Sequence, residues 1–183
     1  MLQAAGISFT AKASAVDERA LEAPLLAEGM GPRDLAVALA EAKALDVAAR
    51  HPGALVIGGD QTLELDGERF TKPGSAAAAR AQLARLAGRG HQLHSAVAVA
   101  QDGRMAWRHV ASAAMTMRPL DSAAIDAYLA LVGDKVMGSV GAYQLEGPGV
   151  RLFEKIDGDF FVILGLPLLP LLAYLRDAGA IAW

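Results

Sequence analysis

The stretch Val56-Ile57-Gly58-Gly59-Asp60-Gln61-Thr62 delivers an acid straight after an apolar run and two glycines. A carboxylate at the carboxyl end of a buried strand stands where open α/β sheets bind ligands, and there it can accept a proton or hold a cation. Glycines beside it let a backbone or a ligand approach closely. Gln61 adds a neutral donor and acceptor. The competing reading is an ordinary acid in a strand-end turn.

Two lysines and a pair of acids extend this chemistry. Lys43 continues the row Leu35, Leu39 at a spacing of four, so its ammonium stands on an apolar helix face and is desolvated unless an anion meets it. Lys72-Pro73 follows the hairpin that Asp60 begins. Both lysines suit phosphate, and both could instead snorkel to solvent. Asp17-Glu18, read as adjacent loop acids, could furnish an oxygen ligand to Mg²⁺ or Mn²⁺, which bind through few carboxylates plus substrate phosphates; solvated loop acids are the alternative. Glu146, in "YQLEGPG", reads equally as a reader of a ligand edge or as a turn residue. His91 and His94 are three apart in a strand-like segment, point to opposite faces, and suit packing or solvation better than a metal. The chain has no Walker-type loop and no G-x-S-x-G elbow.

These residues need elements to position them. "GPRDLAVALAEAKALDVAARHPG" reads as a helix opened by Gly-Pro and stopped at Arg50-His51. A strand from Ala54 to Ile57 extends through "TLELDG" to a hairpin turn at Asp66-Gly67. Ser75 caps a second helix that ends at Gly88. "QLHSAVAVA" and "RMAWRHVASAAMTMRP" form a strand pair about Asp102-Gly103, and a third helix runs from Asp121 or Ser122 to Gly133. "MGSVGAYQLEGPG" is a glycine-rich loop, "VRLFEKIDGDFFVILG" a further hairpin about Asp157-Gly158, and Pro167 opens a last helix ending near Gly179. Helices and strands alternate and several strands are hairpin-linked, so an α/β chain with a mixed sheet is expected.

The whole chain sets bounds on function. Its 183 residues fit a single domain spanning 1–183, and 54% hydrophobic against 20% charged residues argues for an ordered core. A net charge of −3, without a basic stripe, disfavours duplex nucleic acid as a partner. The absence of cysteine removes disulfides, thiolate zinc sites and a Cys nucleophile, and is compatible with a reducing cytoplasm. The N-terminus shows no secretory signal pattern. The most apolar segment, Phe160 to Leu175, is interrupted by Gly165, Pro167 and Pro170 and reads as a core strand plus a core helix rather than a membrane span.

With Asp17-Glu18, "AEAKA" around Lys43, "VIGGDQT", Lys72-Pro73, "LAGRGHQLHSAVAV", "GAYQLEG" and "GLPLLPLL" in this order, the chain resembles the Maf family of nucleotide pyrophosphatases over essentially its whole length. The resemblance implies an elongated mixed sheet flanked by helices with a two-lobed cleft, similar to the inosine triphosphate pyrophosphatases. It implies hydrolysis of a nucleoside triphosphate to the monophosphate and pyrophosphate, aided by a divalent metal, Mg²⁺ or Mn²⁺. Carried over by position, Asp60 is the base and a metal contact, Glu18 holds metal, Lys43 and Lys72 bind phosphates, and Gln61 and Glu146 meet the substrate.

Departures from the family pattern refine this expectation. The family opens with a strand and an "S-x-S-x-R-R" phosphate loop, whereas this chain reaches "AGISF" almost at once. Gln61 stands where the branch acting on thymidine and uridine triphosphates has threonine, Ser139 where it has lysine, and Glu146 where it has glutamine. These choices resemble the branch that prefers 7-methyl-GTP, in which a carboxylate accepts from a guanine edge. The competing classes are a non-catalytic nucleotide-binding or regulatory protein and a structural domain that associates through an unpaired sheet edge. A homodimer is the default assembly.

Overall fold

The structure, a computed structural model, describes residues 1–183. Five strands make one sheet in the order β2-β1-β3-β4-β5, with β1 at Leu55–Leu65, β2 at Glu68–Phe70, β3 at Gly90–Gln101, β4 at Arg104–Met117 and β5 at Phe153–Asp157. Six helices accompany it: α1 (Glu18–Ala27), α2 (Pro32–Arg50), α3 (Ala76–Leu86), α4 (Ser122–Val132), α5 (Phe160–Ile163) and α6 (Leu168–Asp177). The expected α/β class is present as a five-stranded antiparallel sheet flanked by helices. None of the helices is long and apolar enough to cross a membrane.

The chain divides into two compact units. The first comprises Met1–Gln61, His94–Ala111 and Gly165–Trp183. Its stretch of sheet carries different packing on its two faces, as the two-residue period of a strand requires. Even-numbered Val56, Ala96, Ala98 and Ala100 pack against the alanine row Ala36, Ala40, Ala44 and Ala48 of α2. Odd-numbered Leu55, Ile57, Val97 and Val99 pack with Leu171 and Leu175 of α6, joined by Trp107 stacked 5.0 Å from Tyr174.

The second unit comprises Thr62–Leu93 and Ser112–Leu164. Asp66 and Gly67, both with positive φ, turn β1 into β2 as the Asp-Gly pair predicts. Helices α3 and α4 are capped by Ser75 and Asp121, whose side chains accept from Ala78 N and Ala124 N, and are linked by Arg80 to Asp126 at 2.7 Å. His91, 4% exposed, shares a 2.7 Å hydrogen bond with Tyr143 OH, and both rings pack on Phe153.

Five local expectations are corrected. Asp17-Glu18 is not a loop pair: Asp17 N-caps α1, accepting from Ala20 N at 3.1 Å, and Glu18 is the first helical residue. Asp60 does not stand at the carboxyl end of its strand: β1 runs through it to Leu65, as the strand read through "TLELDG" requires. No hairpin forms about Asp157-Gly158: β5 pairs back on β4, with Asp157 opposite Ala114, and Asp159 accepts from Phe161 N and Val162 N to start the short helix α5. The apolar run from Phe160 is therefore helical from its first residue rather than a strand. The glycine-rich loop is built from three short 3₁₀ turns, at Gly133–Gly138, Val140–Ala142 and Pro148–Leu152.

Candidate active site

Glu18, Lys43 and Asp60 come from three elements of the first unit and meet at one ammonium. Lys43 Nζ lies 2.7 Å from Asp60 Oδ1 and 2.8 Å from Glu18 Oε1. Helix α2 delivers the lysine because Leu39 and Leu35, one and two turns earlier on the same row, are buried and fix that face toward the interior. Asp60 sits on the α2 side of β1, and α1 starts at Glu18 through the Asp17 cap. The side chains grade from enclosed to open: Asp60 is 13% exposed, Lys43 22% and Glu18 50%.

The electrostatics of this trio show a surplus of negative charge. Burial pushes the Asp60 carboxyl above the ordinary aspartate range; the Lys43 hydrogen bond and charge oppose it, while the charges of Glu18 and Glu22 add to the push. Burial pulls Lys43 down, but its hydrogen bonds and attraction to Asp60 and Glu18 together outweigh this and hold the ammonium above its usual value. Two carboxylates, on Glu18 and Asp60, share the one Lys43 ammonium. Such a place receives additional positive charge favourably.

That observation is the test of fit for a divalent metal. Two carboxylate oxygens, on Glu18 and Asp60, already converge on one cationic group, and hard divalent ions that bind through one or two carboxylates plus phosphate oxygens suit this donor set. No group of three or more His, Cys, Asp or Glu residues is placed to enclose a metal, so further ligands must come from substrate or water.

The other expected residues fall elsewhere. Gln61 points to the opposite face of the sheet from Asp60, where its Nε2 donates to the fully buried Ser95 Oγ at 2.8 Å and its amide lies beside Gly165. Lys72 and Glu146 are exposed residues of the second unit, Lys72 between β2 and α3 and Glu146 in the turn after Leu145. His91 and His94 are buried, in line with the packing reading. Sequence reasoning missed Glu22, four residues after Glu18 and so on the same face of α1; its signal was hidden while the helix itself went unread.

It also missed Asp46. This carboxylate, one turn after Lys43 on α2, accepts from Ala15 N at 2.8 Å and Ser14 Oγ at 3.2 Å and pairs with Arg50 at 2.5 Å; Arg50 in turn donates to Ala13 O at 3.3 Å. Those hydrogen bonds and the Arg50 charge hold Asp46 below the usual carboxylate range. Helix α2 thereby presents Lys43 and also ties down the segment that leads into Glu18. A groove of about 900 Å³ in this unit is lined by Ile7, Phe9, Lys12 and Lys43 together with residues 54–59.

The sequence compares with known proteins over its whole length. The Maf-like protein family profile matches residues 1–178. A 7-methyl-GTP pyrophosphatase of Brucella abortus is 58% identical over 176 residues, covering 96% of this chain and 88% of that protein. One of Mesorhizobium japonicum is 58% identical over 181 residues, covering 99% and 91%. A nucleoside triphosphate pyrophosphatase of Caulobacter vibrioides is 52% identical over 181 residues, covering 99% and 90%. On the family match and these identities, with acid, lysine and acid gathered from the motifs that first suggested the resemblance, the chain belongs to the Maf-like protein family.

Proposed function

We propose that the protein hydrolyses a nucleoside triphosphate to the monophosphate and pyrophosphate, with 7-methyl-GTP as the preferred substrate. The observation that carries the reaction is the Lys43 ammonium held between Glu18 and Asp60, in a chain 58% identical to 7-methyl-GTP pyrophosphatases. Asp60 is the proton acceptor. Water oxygen attacks phosphorus at the α–β anhydride, the bond to the bridging oxygen breaks with pyrophosphate leaving, and the water proton passes to the Asp60 carboxylate. A carboxyl whose burial raises its proton affinity suits that task better than a fully solvated one.

Lys43 is assigned to the phosphate oxygens, orienting the anhydride toward Asp60. Glu18 and Asp60 are the residues that would hold Mg²⁺ or Mn²⁺, which when bound neutralises charge on phosphate oxygens. For the second unit we assign Lys72 to phosphate and Glu146 to a guanine edge, as the motif positions suggest; both are solvent-exposed and able to meet a ligand. Gln61 is assigned to the support of β1 through Ser95 rather than to contact with the substrate.

The test is pyrophosphate release from 7-methyl-GTP, UTP, dTTP and the common triphosphates, with Mg²⁺ or Mn²⁺, for the protein and its Asp60→Asn variant. The reading requires turnover that Asp60→Asn abolishes while the circular dichroism stays native-like and unfolding remains one cooperative transition. Full activity in the variant removes Asp60 from the role, and triphosphate binding without turnover in the parent protein replaces the enzyme with a nucleotide-binding protein.

A further inference from the structure

Gly58 lies in β1 two residues before Asp60, so both face α2. Its backbone is outside the left-handed region, and conformation alone therefore does not require glycine there. Space does. A Cβ added at Gly58 would stand 2.5 Å from Ala40 O, 2.8 Å from Ala44 N and 3.0 Å from Ala44 Cβ, and the nearest two of these are helix backbone atoms that cannot turn aside. Its neighbour Gly59, on the other face, is different: a Cβ there meets only Ala96 O, at 3.5 Å, an ordinary contact.

A contact between α2 and β1 too close for a Cβ thus lies next to the charged pair. Ala44 adjoins Lys43 in the helix, and Gly58 shares a strand face with Asp60. The helix can seat this deeply because its contacting row is alanine, with Ala36, Ala40, Ala44 and Ala48 set against Ala96, Ala98 and Ala100. We propose that Gly58 is a positioning residue: by letting the α2 backbone settle on β1 it sets the reach of Lys43 to Asp60 and Glu18, and so the geometry of the reacting site. The catalytic part of this statement rests on the pyrophosphatase reading above; the positional part does not.

The experiment compares Gly58→Ala, Ala44→Ser and Gly59→Ala with the parent protein in two measurements. The first is the ¹⁵N signal of the Lys43 ammonium, which hydrogen bonding to two carboxylates protects from exchange with water. The second is kcat and KM for triphosphate hydrolysis. Gly58→Ala is expected to lose the protected signal and to lower kcat by about tenfold or more with a smaller change in KM, as displacement of a reacting group does. Ala44→Ser, which adds one heavy atom from the helix side of the same contact, is expected to weaken both in the same direction and supplies the test if Gly58→Ala does not fold. Gly59→Ala is expected to keep the signal.

A retained signal with unchanged kcat in the folded variants of the contact overturns the proposal. So does equal loss of the signal in Gly59→Ala, which would mean that any added methyl in β1 has the effect. Loss of the signal confined to the contact variants, with kcat unchanged, upholds the positioning of Lys43 and instead removes the Lys43–Asp60 pair from the hydrolytic reaction.

Discussion

Asp60 and Gln61 are consecutive in the chain and stand on opposite faces of the sheet, one bonded to Lys43 of α2 and the other to Ser95 of β3. The pair is therefore a junction between the charged site and the α6 side of the core. It follows that the two residues should fail in different ways when altered.

Asp60→Asn should reduce turnover by about 10²–10⁴-fold, the range general-base removal commonly costs, while Gln61→Ala should lower stability by about 1–2 kcal/mol through the lost Ser95 bond. Urea unfolding and steady-state kinetics on both variants separate the two effects. A Gln61→Ala enzyme as inactive as Asp60→Asn would show that Gln61 works at the substrate and not as a brace.

Lys43→Met removes the one cation shared by Glu18 and Asp60 and leaves the more enclosed Asp60 beside other acids. A loss of about 1–3 kcal/mol is expected, below the figure for a fully buried pair because Glu18 is half exposed. Thermal unfolding of Lys43→Met, Asp60→Asn and the double variant checks this. The double variant should cost less than the two singles together, since both singles remove the same Lys43–Asp60 bond.

Asp46→Ala cuts the ties from α2 to Ser14 and Ala15 while leaving Lys43, Asp60 and Glu18 intact. Amide exchange at Ala15 should accelerate by about tenfold, and turnover should fall by less than in Asp60→Asn. Exchange measured by mass spectrometry, beside kinetics, decides the matter; unchanged exchange would mean that Arg50 holds the segment through Ala13 O without Asp46.

Acid should weaken the second unit through His91. Burial lowers this imidazole from 6.5 to about 4, and its Nδ1 is enclosed without a hydrogen-bond partner, so a proton there finds no acceptor. The neutral form is favoured in the folded state, so the unfolded chain binds the proton first. Stability from this residue is whole above pH 6.5, falls as pH drops toward 4, and changes no further below that, a loss of about 3 kcal/mol in all. Urea midpoints between pH 7 and pH 4 should show the slope in the parent protein and a smaller one in His91→Gln, which retains a partner for Tyr143.

Much of this arrangement was legible before the fold. Lys43 betrayed itself as a cation on the row of Leu35 and Leu39, and the Asp-Gly turns at 66–67 and 102–103 marked both hairpins. Helix α1 went unread because Pro24 interrupts it and none of its residues is buried. The hairpin expected at 157–158 failed because Asp159, a good helix cap, outcompeted a good turn dipeptide. Gly58 and Gly59 read alike as a pair beside Asp60; only the third dimension reveals that Gly58 answers to the backbone of α2 at Ala40 and Ala44.

The alanine facing on one side of the first unit's sheet has a consequence for how its sequence can vary. Where Leu171, Leu175, Val97 and Val99 meet, volume can be traded between neighbours, and a lost methylene on one side chain can be restored on another. Ala36, Ala40, Ala44, Ala48, Ala96, Ala98 and Ala100 have nothing to trade, because each already presents the smallest side chain that still has a Cβ. A library randomised evenly over both faces should return two different populations: a permissive set of hydrophobic combinations beneath α6, and beneath α2 little besides alanine, glycine and serine.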